Sequence, residues 1–545
     1  MTELGWRIRW LTLGEAIKIH AKNQPEKIAL KDWRGKKYTY RELHLRTNKL
    51  ANALLSLGLK KGDRISLFSY NCAEFIEILA ACSKISVVVA PVSWRFAPPE
   101  AYYVIDNADT KAVFVFDKFL DLINSIRPKL KKVEKYVSIG ETPSEGYVNY
   151  EEFLSEASDD WPSMEVDSKD AWIQPYTSGI TGAPKGVVRS NESYATFYTI
   201  VPQMHGWNKD WYGAIIMPLF HVNSQYYGPL WLYIGASLYV GRDFRFDPVE
   251  FFELVDREKF NFTSLIPTHY YLMVNVPEET RRKYDLSSIK QLLVSSAPVL
   301  GEIKRKIMEI FPGVKLYEAY GTTEAGITLL LLPEDQLRKA GSCGREVTSV
   351  EVRLVDEQGR DVPPGEVGEL ICRSPMMFDE YWKLPERTEK AFSFGKNWFA
   401  TGDLLRQDEE GYYYFVDRKD DMIMSGGEHV YPTEIEDCIA RHPKVDIVSV
   451  VGLPDPRWGE AVTAVITPKA GETLTEEEIK QWCRGKISGY MIPKKIIFIK
   501  ADEYPRTAVG KIIRRRLREK LKKRVRNRIQ VKGVQPSAAG KLNGR

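Results

Sequence analysis

Tyr176-Thr177-Ser178-Gly179-Ile180-Thr181-Gly182-Ala183-Pro184-Lys185-Gly186-Val187 packs three glycines, three Ser or Thr, one proline and one lysine into a dozen positions. The apolar-alternating run Ala171 to Thr177 leads in and reads as a strand. Gly186-Val187-Val188-Arg189 leads out and reads as another. A loop of this makeup between strands turns backbone N–H groups inward, and such a concavity binds phosphate oxygens. Lys185 adds a mobile positive charge, and Pro184 stiffens the backbone just before it. The order is not a Walker A loop, because Lys185 follows proline and no Gly-Lys-Ser/Thr triplet is present. Composition alone also allows a plain surface hairpin rich in Gly and Thr.

Working outward, the chain has 545 residues, too many for a single core, so two or more domains are expected. Hydrophobic content of 43% and charged content of 28% fit a globular protein. No apolar run approaches the ~18 residues of a membrane span. Met1 to Leu11 holds no long apolar segment, so no signal peptide is expected, and the C-terminus is not a Ser-Lys-Leu address. The six cysteines form no CxxC pair, which suits free thiols in a reducing cytoplasm. The net charge of +5 hides an asymmetry. From Ile512 to Arg545 there are thirteen Lys or Arg and one acid, about +12, leaving about −7 for the rest. This end offers a second class of function, binding to nucleic acid or an acidic surface. No aromatic residue interleaves the charges, which favours a solvated helix and a disordered tail instead.

From Tyr212 to Leu332 short apolar strands alternate with helical patterns, Val249 to Arg257 and Glu302 to Ile310 among them. That alternation predicts a parallel sheet covered by helices, with ligands beyond the carboxyl ends of its strands. Three motifs fall at such ends. Met217-Pro218-Leu219-Phe220-His221-Val222-Asn223 carries a lone histidine, ordinarily a satisfied core residue. Ser295-Ser296-Ala297-Pro298 reads as a strand-ending turn. Tyr317-Glu318-Ala319-Tyr320-Gly321-Thr322-Thr323-Glu324 sets a hydroxyl beside a carboxylate, a pair suited to a phosphate-bound Mg²⁺. Further on, Asp403 closes Thr401-Gly402-Asp403, and a carboxylate can take two hydroxyls at once. Arg418 and Asp420 sit in the charged run Asp417 to Asp421, otherwise a solvated turn. Gly426 and Gly427 precede a helix over Pro432 to His442. Strands Val445 to Val451 and Ala461 to Thr467, with a helix over Thr475 to Ile487, predict a compact α+β module. It ends on Thr507-Ala508-Val509-Gly510-Lys511.

These motifs, in this order from Tyr38 to Lys511, resemble the adenylate-forming superfamily: acyl-CoA synthetases, firefly-type luciferases and the adenylation domains of peptide synthetases. Ile180 departs from the family's hydroxyl, and Ser296 stands where glycine is usual. The resemblance implies an α/β fold: a large N-terminal domain over 1–419, made of two β/α subdomains and a distorted β-barrel, and a small mobile α+β domain over 420–530. Residues 531–545 are expected as a basic tail. It implies ATP, Mg²⁺ and coenzyme A. ATP and AMP would contact Thr177, Ser178, Gly179, Thr181, Gly182, Lys185, Ser296, Ala297, Pro298, Glu318, Ala319, Tyr320, Gly321, Thr322, Thr323, Asp403, Arg418 and Lys511. Lys511, Thr323, Glu324 and His221 would be catalytic, with Glu324 holding the metal. His221, Val222, Asn223, Gln225 and Gly321 would line the acyl pocket, Gly426 and Gly427 the coenzyme A passage, and Asp420 would be the hinge.

The expected function is an AMP-forming acyl-CoA synthetase of the cytoplasm. Family members restricted to acetate or propionate carry tryptophan at the Gly321 position, so a longer acid is expected. Asn223, Ser224 and Gln225 suggest a small or medium linear acid, hydroxylated or otherwise polar, and this run is similar to that of carnitine and crotonobetaine CoA ligases. Alternatives are transfer of the adenylate to a carrier protein or another acceptor, and non-enzymatic nucleic-acid binding through the basic end. The expected partners are a small carboxylic acid and coenzyme A, with homodimerisation open.

Overall fold

A computed structural model describes residues 10–141, 144–177, 184–295, 299, 301–395, 397–506, 510 and 512–532. The chain divides into two compact units. The first runs to Thr401 and includes Leu405–Phe415; the second holds Gly402–Leu404 and the chain from Val416 on.

Local chemistry starts the elements where the sequence predicts. The helix Tyr40–Ser56 is capped by Thr39, whose hydroxyl accepts from the Glu42 N–H while the Glu42 carboxylate accepts from the Thr39 N–H. Such a reciprocal cap is worth about 1 kcal/mol. Ala73–Ser83 is buried at every residue, so this helix is enclosed on all sides. The strand expected over Ala171–Thr177 is two, Ala171–Ile173 and Tyr176–Thr177, parted at Pro175, which has no N–H to give a ladder.

Two nine-stranded sheets organise the first unit. One runs, edge to edge, Arg345–Glu346, Gly326–Leu331, Lys315–Thr322, Gln291–Ser295, Phe262–Leu265, Tyr212–Ile215, Ser237–Val240, Ile28–Asp32 and Lys37–Thr39. Its centre is parallel, as the alternation of strands and helices predicts. The other orders Glu380–Tyr381, Lys185–Ser190, Ala171–Ile173, Val88–Val92, Arg64–Phe68, Thr110–Phe116, Lys135–Ile139 and Val148–Asn149, with Tyr176–Thr177 paired to Lys185–Ser190. Glu351–Val355, Val367–Arg373, Phe399–Gln407 and Tyr413–Arg418 form a four-stranded sheet in the region expected as a barrel.

The second unit is α+β. Glu428–Val430, Ile423–Ser425, Gly459–Pro468 and Val445–Asp455 lie side by side, and Lys495–Phe498 joins Gly459–Pro468 in parallel. Ile423, Val430, Ile435, Ile439, Val450 and Ile479 form its core. The helix expected over Thr475–Ile487 stops at Cys483, because Arg484 turns extended and Gly485 takes a φ of +72°.

Candidate functional site

The glycine-rich loop is held at its two ends. Thr177 pairs with Lys185 and Tyr176 with Gly186 across an antiparallel ladder. Ser178, Gly179, Thr181 and Gly182 lie outside the described residues. At the loop's entrance the Thr177 hydroxyl is buried with no hydrogen-bond partner among the described residues. At its exit Lys185 Nζ stands 3.9 Å from Glu324 Oε1 and 4.0 Å from the Tyr381 ring centroid. The Tyr381 hydroxyl donates to Glu324 Oε1 at 2.8 Å. Two motifs far apart in sequence thus present a cation and a carboxylate side by side. At 3.9 Å the pair is loose.

Arg189 fixes that carboxylate's backbone, and sequence reasoning passed over it as a strand residue. It is fully buried. One guanidinium nitrogen donates to the carbonyls of Thr323 (2.6 Å) and Glu324 (3.1 Å), the other to that of Met376. Its plane lies over Tyr194 and Tyr226, 5.2 Å from each ring. The Phe378 N–H also donates to the Glu324 carbonyl at 2.7 Å. The signal in the sequence was a charge set into the apolar run after Lys185.

The hairpin bearing Thr322, Thr323 and Glu324 is tight. The Thr322 hydroxyl accepts from the Ala325 N–H at 3.0 Å. A Cβ on Gly321 would lie 2.1 Å from the Gly326 carbonyl oxygen. Glycine at 321 is therefore demanded by the backbone of the returning strand, a different reason from the open acyl pocket expected for it. Ala319 pairs with Ser295, and Tyr320 with Leu329 beside a register shift. Ser296, Ala297 and Pro298 lie outside the described residues. Glu318, expected to contact the nucleotide, has its side chain engaged elsewhere. Its carboxylate is buried and paired with the buried Lys304, and it accepts from the Val299 N–H. Burial raises its pKa against the pull of Lys304. It seats the helix Gly301–Ile310.

His221 is the cap of the helix Val222–Tyr227, its Nδ1 accepting from the Asn223 N–H at 3.3 Å. That role leaves the ring proton on Nε2. Burial pushes its pKa down to about 4, so it works as a neutral imidazole. Val222 is half-buried against the main core. Gln225 is fully buried and its polar atoms are committed: the amide donates to the carbonyls of Leu219 and Phe220, and Oε1 accepts from Tyr194. It clamps the turn around His221 and offers no polar group to an acyl chain. The Ser224 hydroxyl donates to the Met217 carbonyl at 3.0 Å. Asn223 differs, since its Oδ1 is buried without a partner among the described residues.

In the second unit Arg418 Nε and Asp403 Oδ1 lie 2.9 Å apart, so the two expected ribose ligands are neighbours. Asp420 is exposed in a turn. Gly426 and Gly427 make the two-residue turn of a hairpin, with φ of +64° and +88° and Ser425 opposite Glu428, and the expected helix follows as Pro432–Ala440. Lys511 lies outside the described residues, but its flanks are pinned. Arg506 bridges Ile512, its guanidinium donates to the Gly510 carbonyl at 2.8 Å, and the Ile513 N–H donates to the Pro505 carbonyl at 2.8 Å. Arg514 was not foreseen. It donates to Asp417 (2.7 Å), Asp421 (3.3 Å), Thr433 (2.9 Å) and Glu436 (3.0 Å). One side chain thus ties the residues around Asp420 to the segment following Lys511.

Among the described residues no cluster of three His, Cys, Asp or Glu could hold a metal by itself. Glu324 stands as a lone carboxylate beside a threonine.

Comparison with known proteins gives these features a context. Residues 17–382 match the family described as AMP-binding enzyme, and residues 434–511 match the AMP-binding enzyme C-terminal domain. The chain is 33% identical over 507 residues to an indoleacetate–CoA ligase of Aromatoleum aromaticum, covering 92% of this chain and 96% of the relative. It is 33% identical over 494 residues to a long-chain-fatty-acid–CoA ligase of Mycobacterium tuberculosis, covering 88% and 92%. An anthranilate CoA ligase solved with anthranoyl-AMP superposes with a TM-score of 0.84 at 26% identity, covering 95% of this chain and 99% of that one.

Proposed function

The chain belongs to the AMP-binding enzyme family, and from that membership we propose the reaction it performs. It is an AMP-forming acyl-CoA synthetase. A carboxylate is a poor acyl donor because oxide would have to leave. An oxygen of the acid attacks the α-phosphorus of ATP, and the bond from that phosphorus to the oxygen bridging to the β-phosphate breaks. Pyrophosphate leaves and acyl-AMP remains. The coenzyme A thiol, having lost its proton to water, attacks the acyl carbonyl and expels AMP. The observation that carries this reading is Lys185 beside Glu324 at the mouth of the glycine-rich loop.

Each residue has a task in the proposal. Lys185 takes the charge growing on pyrophosphate. Thr177 and Thr323 donate hydroxyls to phosphate oxygens. Glu324 and Thr323 suit Mg²⁺, which binds through one or two carboxylates while keeping phosphate oxygens and waters; bound there, it neutralises phosphate charge. Neutral His221 donates from Nε2 to the acid's oxygen. Asp403 accepts from the ribose hydroxyls with Arg418 beside it. Lys511 offsets charge at the α-phosphate during adenylation, and the Gly426–Gly427 turn serves thioester formation. Asp420 is the residue about which one is exchanged for the other. A cytoplasmic location belongs to the same reading; among the described residues no helix is long and apolar enough to cross a membrane.

The acid in this proposal is compact. Behind the Val222–Tyr227 helix, Phe197 stacks on Tyr226 at 4.3 Å, and Tyr194 and Tyr227 pack against the same pair. On this reading the packed rings leave little room for a long chain beyond the helix. An acid panel with a clear preference for long fatty chains would overturn that point alone. The roles in the two half-reactions are checked with Lys511→Ala. It should suppress acid-dependent exchange of pyrophosphate into ATP at least about a hundredfold, a loss typical of a transition-state charge partner, while thioester formation from supplied acyl-AMP persists. Equal damage to both steps contradicts the assignment.

A further inference from the structure

Two polar atoms on one face of the Val222–Tyr227 helix have no task in the reaction above. Tyr226 is 4% exposed. Its ring is held between Phe197, Tyr194 and the Arg189 guanidinium. Its hydroxyl is buried and has no hydrogen-bond partner among the described residues. Burial raises the phenol to about 12, so it stays protonated and can both donate and accept. Three residues earlier, Asn223 Oδ1 is also buried without a partner. Residues three apart on a helix are neighbours on one face. Buried polar groups are nearly always paired, so two such atoms one helical turn apart, each without a partner among the described residues, suit a bound molecule.

The hydroxyl's direction is known. A Cβ on Gly326 would lie 3.1 Å from the Tyr226 oxygen. The Gly326 carbonyl is the group that Gly321 approaches so closely. Tyr226 therefore ends against the hairpin carrying Thr322, Thr323 and Glu324, on the helix that His221 caps. The neighbouring polar side chains are spoken for: Gln225 and Ser224 bond to backbone carbonyls, and Tyr198 donates to the Gln225 carbonyl at 2.9 Å.

We propose that the Tyr226 hydroxyl and Asn223 Oδ1 together bind a hydroxyl group on the acyl chain, so that the preferred substrates are hydroxy acids. The substrate hydroxyl donates to Asn223 Oδ1 and accepts from Tyr226. A long hydrocarbon would leave both atoms unpaired, and sites built to hydrogen-bond a substrate group discriminate strongly against analogues lacking it. This rests on the acyl-adenylating reading of the site.

The test compares short straight-chain acids with their hydroxylated derivatives, position by position, in acid-dependent pyrophosphate exchange. Wild type, Tyr226→Phe and Asn223→Ala are measured in parallel. For the best hydroxy acid, kcat/KM should exceed that of its parent by about tenfold or more, the equivalent of one well-made hydrogen bond. Either substitution should bring the ratio toward one. With ATP present, that hydroxy acid should raise the Tm of wild type more than its parent acid does, and Tyr226→Phe should erase the difference. A ratio unchanged in both variants, or parent acids favoured throughout in wild type, overturns the proposal while leaving acyl activation intact. Exchange with no acid at all would remove acyl activation itself, and the hydroxy-acid preference with it.

Discussion

Arg189 carries a full charge into a strand buried at five of its six positions. Its hydrogen-bond partners on the Thr323–Glu324 turn are carbonyls, and its charge acts on the nearby Asp379 carboxylate. A guanidinium fork can hold adjacent carbonyls at fixed spacing, which an ammonium cannot. Arg189 is thus a positioning residue: it sets the turn from which Glu324 faces Lys185. Arg189→Lys keeps the charge and loses the fork. Its acid-dependent pyrophosphate exchange should fall about tenfold or more, with a raised requirement for Mg²⁺ because Glu324 is no longer held. A variant that lost thermal stability but kept the wild-type Mg²⁺ dependence would show Arg189 to be purely structural. His221 makes a complementary point. A neutral imidazole, held near pKa 4 by burial, can donate from Nε2 throughout the neutral range without changing charge.

Among elements, the hairpin from Lys315–Thr322 to Gly326–Leu331 bears the most constraint. Any side chain at 321 meets the Gly326 backbone, and overpacking of this kind costs about 1–3 kcal/mol. Gly321→Ala should therefore lower Tm measurably and weaken acid and ATP use together, because the turn bearing Thr323 and Glu324 shifts as a unit. Unchanged stability would contradict the close approach. Most elements here were legible in the sequence. The Thr39–Glu42 capping box, the alternation behind the parallel sheet and the ladder flanking the glycine-rich loop all follow from local patterns. The errors have physical causes. Pro175 split a strand that alternation made continuous, and the short strand Glu428–Val430 between the double glycine and the expected helix was not foreseen, because the turn depends on both glycine φ values. The direction in which Glu318 and Gln225 point depends on Lys304, Tyr194 and distant carbonyls. Local pattern contains none of these.

At the scale of the whole molecule, motif order proposes residues for the chemistry and says less of what holds them. Arg189, Tyr381 and Arg514 act through partners remote in the chain, so their tasks emerge only from the folded arrangement. Arg514 matters for the second unit as a whole. Asp417, Asp421, Thr433 and Glu436 converge on it, so the turn at Asp420, the helix Pro432–Ala440 and the start of the final helix share one anchor. The basic C-terminal helix is partly absorbed in this way: Arg518 pairs with Glu460 and Arg524 with Glu503. Those pairs give much of its charge a structural role. The account's central claim is that the chain joins an acid to AMP before any thiol takes part. The most direct measurement incubates the purified protein with ATP, Mg²⁺ and a panel of acids without coenzyme A, and analyses the nucleotide and phosphate products. The account predicts AMP and pyrophosphate in acid-dependent amounts, with bound acyl-AMP recoverable. ADP and inorganic phosphate as the products, or no acid-dependent cleavage between the α- and β-phosphates, would contradict it.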